Sequence, residues 1–186
     1  YALLFAQAAT KTNRPGEAIG VLTTQARADS RNYRLQQALG SAYTANGEEA
    51  KAFEAYKRAF DLNAKDGTSA RNAVKAAISV ARRSSSNSSK SNYYNQAGQI
   101  ADRLANSSPT FEHQLLAGEA WLGAKQYQKA QGWFDKARAQ QSSNPLVYYY
   151  LAQCKTQMNQ LNPALADLQQ ALKLNLSGRL RTQVYN

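Results

Sequence analysis

Small residues return at a fixed interval along this chain, and that interval restricts its fold more than any other feature. Ala6 and Gly40 lie thirty-four positions apart, as do Gly118 and Ala152, and each sits in a stretch of apolar side chains. Downstream of each, an alanine is followed four positions on by a bulky residue, and then by a small or amide one. The sets are Ala18, Leu22 and Gln25; Ala52, Tyr56 and Ala59; Ala130, Phe134 and Ala137; and Ala164, Leu168 and Ala171. The steps from Ala18 to Ala52 and from Ala130 to Ala164 repeat the same interval. Gly40 and Gly118 are separated by two such periods and ten further positions, so one unit carries an insertion. Self-similarity at such a period means supersecondary units that bury their apolar faces only against their neighbours.

The units run 1–32, 33–66, 67–110, 111–144 and 145–178, and 179–186 opens a further or capping helix. Within a unit the apolar spacing is helical. Leu35, Leu39, Ala42 and Tyr43 line one face, and Ala52, Phe53, Tyr56, Ala59 and Phe60 line the next. Two helices of ~12–15 residues joined by a short polar turn are predicted for each unit, a hairpin that cannot bury its stripe alone. Turns are expected at 46–49 and 124–126, and the strand-prone run 146–150 lies in the repeat register and reads as helix. The whole chain, 1–186, is thus predicted to be one all-α domain, an α-solenoid of about five stacked helix-turn-helix repeats. The insertion falls on 84–92, which is almost wholly serine and asparagine and has no apolar side chain to bury. Such residues bond their own backbone in competition with helix, so a flexible Ser-rich loop is expected there.

The period and the alternation of small and large residues resemble the tetratricopeptide repeat (TPR) family, over about 178 of the 186 residues. Gln36, Gln114 and Tyr148 stand where that family commonly has tryptophan. Ala64, Ser142 and Leu176 stand where a proline commonly ends the second helix, a role that Pro109 fills in the third unit. The resemblance implies a right-handed superhelix whose first helices line a concave groove for a protein or peptide partner. The side chains opposite the packing stripe would then be the binding residues: Arg34, Gln37 and Ser41; Arg71, Asn72 and Lys75; Leu115 and Glu119; Tyr149 and Gln153. Thr44, Thr68, Ser79, Leu122 and Thr156 complete those faces. Chaperone-binding members clamp a terminal carboxylate with a set of Lys, Asn and Arg, and no frame of three units supplies that set here.

The sequence offers little for catalysis. His113 is the only histidine and Cys154 the only cysteine, which excludes a disulfide framework and any multi-His or cysteine-based zinc centre. His113 reads as an exposed or capping residue, and Cys154, amid Leu151, Met158 and Leu161, as a small core hydrophobe. No glycine-rich phosphate loop is present. We therefore expect a non-enzymatic chain with no cofactor and no metal. No apolar run approaches the ~20 residues of a membrane helix, and no signal peptide opens the chain. Neither observation assigns a compartment, and an exported or an internal location fits equally.

Charge supplies the remaining expectation. The net charge is +11, and residues 67–110 carry +5 of it through Arg71, Lys75, Arg82, Arg83, Lys90 and Arg103 against Asp102. Arg82, Arg83, Lys90 and Arg103 are read as one basic patch, attractive to an acidic protein segment, a nucleic-acid backbone or an anionic membrane surface. The leading expectation is a protein–protein interaction scaffold within a larger, bacterial-type assembly. The alternative is RNA binding, with Tyr93 and Tyr94 stacking bases beside the patch. It ranks second because Arg71, Leu115 and Tyr149, at equivalent places, do not recur as a base-reading code would. The apolar opening from Tyr1 to Phe5 lacks the polar cap of an isolated array, so a longer parent chain or self-association through open ends is expected.

Overall fold

The computed structural model describes residues 1–175, and within them it contains ten helices and no strand. They pair as α1 (Ala2–Lys11) with α2 (Pro15–Ala28), α3 (Tyr33–Ala45) with α4 (Glu49–Leu62), and α5 (Gly67–Arg83) with α6 (Asn87–Ser107). Then follow α7 (Phe111–Gly123) with α8 (Tyr127–Gln140), and α9 (Pro145–Gln157) with α10 (Leu161–Lys173). Each helix packs mainly on the one before and the one after it, so the pairs form a solenoid. The further helix expected from Arg179 lies outside the described residues.

Local chemistry sets the hairpin boundaries. Four first helices start on a side-chain cap: Asn32 for α3, Asp66 for α5, Thr110 for α7 and Asn144 for α9. Each accepts an otherwise unpaired backbone N–H of the first turn. Between first and second helix, Asn13, Gly47, Lys125 and Asn159 adopt φ of +59°, +75°, +61° and +58°. This left-handed residue reverses the chain at the same register in four pairs. Glycine and asparagine take it readily, whereas lysine holds it at a cost. Lys125→Asn is therefore expected to add about 0.5–1 kcal/mol of stability, read as a higher urea midpoint at unchanged slope.

The third pair corrects the expectation of a Ser-rich loop over 84–92. Only three residues, 84–86, separate α5 from α6, and helix resumes at Asn87. The insertion is absorbed as length: α5 has 17 residues against 13 in α3, and α6 has 21 against 14 in α4. The serines that argued against helix start it, because the Ser86 hydroxyl accepts from the Ser89 N–H at 3.4 Å. Packing then overrides the low helix preference of the segment. The Tyr93 ring meets Phe53 edge-on at 5.6 Å, and the Tyr94 ring lies against Gly123.

One continuous core runs through α4 to α9, and a smaller one joins α1 to α4. Glycine on one helix and an aromatic ring on another make the closest approaches. A Cβ on Gly40 would lie 2.6 Å from the Tyr56 ring, and one on Gly98 would lie 2.6 Å from the Trp121 ring. Gly118 meets Phe134 in the same way. Trp121 is also fixed at its edge, donating from Nε1 to Asp102 at 2.7 Å. The α9–α10 pair is joined by an ion pair of Lys155 with Asp167, at 2.6 Å and mostly buried.

Candidate functional site

The odd-numbered helices form the inner row of the solenoid. α1 touches α3, α5 touches α7 and α7 touches α9, whereas even-numbered helices make no comparable contact with one another among the described residues. Three clefts open along that row. The first, about 630 Å³, lies across α1, α3 and α5 and is lined by Gln7, Thr10, Arg34, Gln37, Ser41, Thr68, Asn72 and the buried Tyr56. The second, about 440 Å³, lies between α5 and α7 and is lined by Lys75, Ile78, Ser79, Arg82, Arg83, Leu116 and Glu119. The third, about 480 Å³, lies across α7, α9 and α10 and includes Lys125, Tyr127, Tyr149, Gln153, Thr156 and Leu168.

Their chemistries differ. The first cleft sets apolar wall (Leu3, Ala6 and Ala38) and two cations, Lys11 and Arg34, beside amides and hydroxyls that match the backbone N–H and C=O of an extended peptide. Gln37 is partly committed, since its Nε2 donates at 3.1 Å to Asp66, whose other oxygen caps α5 by accepting from the Thr68 N–H at 3.2 Å. The second cleft is cationic. Lys75, Arg82 and Arg83 make no ion pair among the described residues. Glu119 instead accepts from the Tyr150 hydroxyl at 2.7 Å. Burial first, and then the Glu119 charge, push Tyr150 ionisation up, so this phenol remains a donor at neutral pH. In the third cleft Gln153 donates to the Tyr149 hydroxyl at 2.8 Å, and Tyr127 donates to Gln157 at 3.1 Å.

Eight of the ten expected groove residues line these clefts: Arg34, Gln37, Ser41, Asn72, Lys75, Glu119, Tyr149 and Gln153. Leu115 does not; it is half-buried and packs against the main core. Arg71 is half-buried and lines none of the three. Tyr149 departs from expectation in another way. It is 6% exposed, held in a small cluster with Ala171 and Leu168, and so forms part of the cleft wall. Three consecutive tyrosines, 148–150, could not be sorted into wall and surface before their packing was known.

The basic patch is divided. Arg82 and Arg83 close the inner second cleft, but Arg103 lies on α6, paired with Asp61 of α4 at 3.0 Å and with its guanidinium 4.4 Å from the Phe60 ring centre. It belongs to a cleft of the outer row that it shares with Lys57, Gln96 and Gln99. Lys90 is half-buried on the extended start of α6. The tyrosines invoked for base stacking are likewise occupied, Tyr93 on Phe53 and Tyr94 on Gly123. Linear charge density did not reveal which helix each cation belongs to, and that assignment splits the patch.

The inner row also contains residues that the sequence reading passed over. Leu3, Gln7 and Thr10 line the first cleft, each one full period before Gln37, Ser41 and Thr44. The period alone was signal enough to find them. Ile78, in the main core, and Leu116, packed against it, also reach the second cleft. Outside the clefts, His113 Nδ1 lies 2.8 Å from the Ser108 carbonyl, at the start of α7. Cys154 is fully buried, and burial pushes its thiol up to about 12. Among the described residues no cluster of three metal-ligating side chains occurs, and no helix is long and apolar enough to cross a membrane.

Comparison with solved structures decides the fold. MamA of MSR-1 superposes with a TM-score of 0.72 at 20% identity, covering 94% of this chain and 95% of that one. MamA of Desulfovibrio magneticus RS-1 gives 0.71 at 15% identity, with 96% and 95% covered. A thermophilic TPR protein of Thermus thermophilus, TTC0263, gives 0.63 at 17% identity, with 99% and 95% covered. This chain has the TPR fold. No protein-family model and no curated protein sequence matches it. At these identities the likeness fixes the path of the chain and leaves its ligand to be argued from its own side chains. The five helix pairs of the described residues form a TPR-like solenoid.

Proposed function

We propose that this TPR array is a non-catalytic interaction scaffold that holds a peptide segment of a protein partner in its concave groove, as one component of a larger assembly. The observation that carries the reading is the inner row itself. Three clefts follow one another on it, and side chains such as Ser41, Asn72, Lys75 and Arg82 line them without serving the core. A groove built of helices that are held elsewhere can vary its lining without loss of fold. Nucleic-acid binding receives less support, because the aromatic rings it required pack on Phe53 and Gly123 and Arg103 is paired with Asp61.

The test is selection of binders from a random peptide library on the intact chain, followed by two tryptophan variants at polar surface positions. Ser41→Trp fills the first cleft, and Gln99→Trp alters the outer row. Selected peptides are expected to weaken on the order of tenfold or more with Ser41→Trp, about 1.4 kcal/mol, and to bind Gln99→Trp unchanged. Peptides lost only with Gln99→Trp would overturn the groove. Association between copies is part of the same proposal. Leu4 and Phe5 are 70% and 43% exposed on α1, and Leu161 and Leu165 are 60% and 55% exposed on α10. Sedimentation should show a concentration-dependent mass that Leu4→Ser and Leu165→Ser together abolish; a fixed monomer mass at all concentrations would exclude association.

A further inference from the structure

Resting on the groove reading, we propose that the cleft between α5 and α7 takes an internal acidic segment of a protein partner, an extended stretch in which two carboxylates flank an apolar side chain. Charge on the cleft wall is the first support. Lys75 and Arg82 are exposed and unpaired among the described residues, and the one acid that lines the cleft, Glu119, is hydrogen-bonded to Tyr150. The two cations are seven residues apart on one helix, about 10 Å along its axis. Carboxylates four residues apart on one face of an extended strand are about 13 Å apart, a difference that the long lysine and arginine stems span. Ile78 and Leu116 line the same cleft, so an apolar side chain midway between the two acids meets apolar surface.

The form of the site favours protein over nucleic acid. At the positions equivalent to Lys75 the neighbouring units carry Ser41 and Glu119, and at those equivalent to Arg82 they carry Glu48 and Gln126, so this pair of cations does not recur along the row. A phosphodiester backbone draws affinity from many successive phosphates, whereas two acids of a peptide satisfy a single unit. The adjoining first cleft presents Gln7, Ser41 and Asn72, suited to the backbone amides on either side of those acids.

Binding of a fluorescein-labelled twelve-residue glycine–serine peptide tests this, with glutamates at its fourth and eighth positions and leucine at its sixth. A companion peptide carries glutamine in place of both glutamates. The glutamate peptide is expected to bind wild type at least about tenfold more tightly than its companion. It should lose about tenfold or more on Lys75→Glu/Arg82→Glu and nothing on Arg27→Glu/Arg58→Glu, which makes the same charge change at exposed positions of α2 and α4. Circular dichroism establishes that both variants fold. Absence of binding, equal loss on the two variants, or tighter binding of an oligothymidine to the same cleft would overturn the inference. The two readings separate in the library selection. Selected peptides that depend on Ser41 but are neutral, and that bind Lys75→Glu/Arg82→Glu as wild type, would leave the groove standing and remove the acidic ligand. Selected peptides indifferent both to Ser41→Trp and to Lys75→Glu/Arg82→Glu would remove the groove.

Discussion

Phe134→Ala is expected to cost about 3–5 kcal/mol of folding stability. The ring is fully buried, stacks on Tyr150 with centres 5.0 Å apart and planes 10° from parallel, and covers the backbone at Gly118. Its removal therefore opens a cavity between α7, α8 and α9 that none of the three can fill alone. Gly118→Ala tests the same contact from the other side. Alanine in place of glycine in a helix gains about 0.5–1 kcal/mol in backbone terms, but overpacking a fixed ring costs about 1–3 kcal/mol, so net destabilisation is expected. Gly118→Ala with Phe134→Leu should be less harmful than the two separate losses together, because the smaller side chain admits the new methyl. Urea unfolding of the four proteins measures the cycle. A neutral Gly118→Ala would mean that the two helices do not approach as closely as described.

The second large effect belongs to the α9–α10 pair. In the Lys155–Asp167 ion pair the side chains are only 15% and 10% exposed. Asp167→Ala leaves an ammonium without its partner in a mostly buried place, which is expected to cost about 3 kcal/mol, the lower end for buried pairs because some solvent reaches the site. Replacing both, as Lys155→Met with Asp167→Leu, should bring stability back to within about 1 kcal/mol of wild type. Hydrogen exchange locates the loss. Amides of α10 should exchange faster in Asp167→Ala while those of α4 to α6 are unchanged, because repeat units are held by their neighbours.

The repeat fold was legible because its cause is a period, and a period survives the replacement of individual signature residues. Gln36 and Gln114 occupy tryptophan positions and are still buried in the expected register. The turn expectations at Gly47 and Lys125 rested on the same register, and the left-handed residues lie there. The segment 84–92 was illegible for a physical reason. Intrinsic preference argues against helix, and the contacts that outweigh it, Tyr93 on Phe53 and Tyr94 on Gly123, join residues distant in the chain. For the site, polar side chains one period apart were assigned to the inner row by register. The companions of Arg82 were not, since Arg103 is nearby in sequence yet faces Asp61 on the outer row. Tyr149 and Leu115 show a related gap, because an apolar or aromatic residue on an inner helix serves wall and core alike until burial is known.

A photo-crosslinking residue placed at Ser41, and separately at Gln99, offers the most direct measurement of the central claim, that the inner row is the peptide-binding surface. With a library-selected peptide bound, binding in the groove requires crosslinks from position 41 and none from position 99. Crosslinks from position 99 alone would place the ligand on the outer row and contradict it.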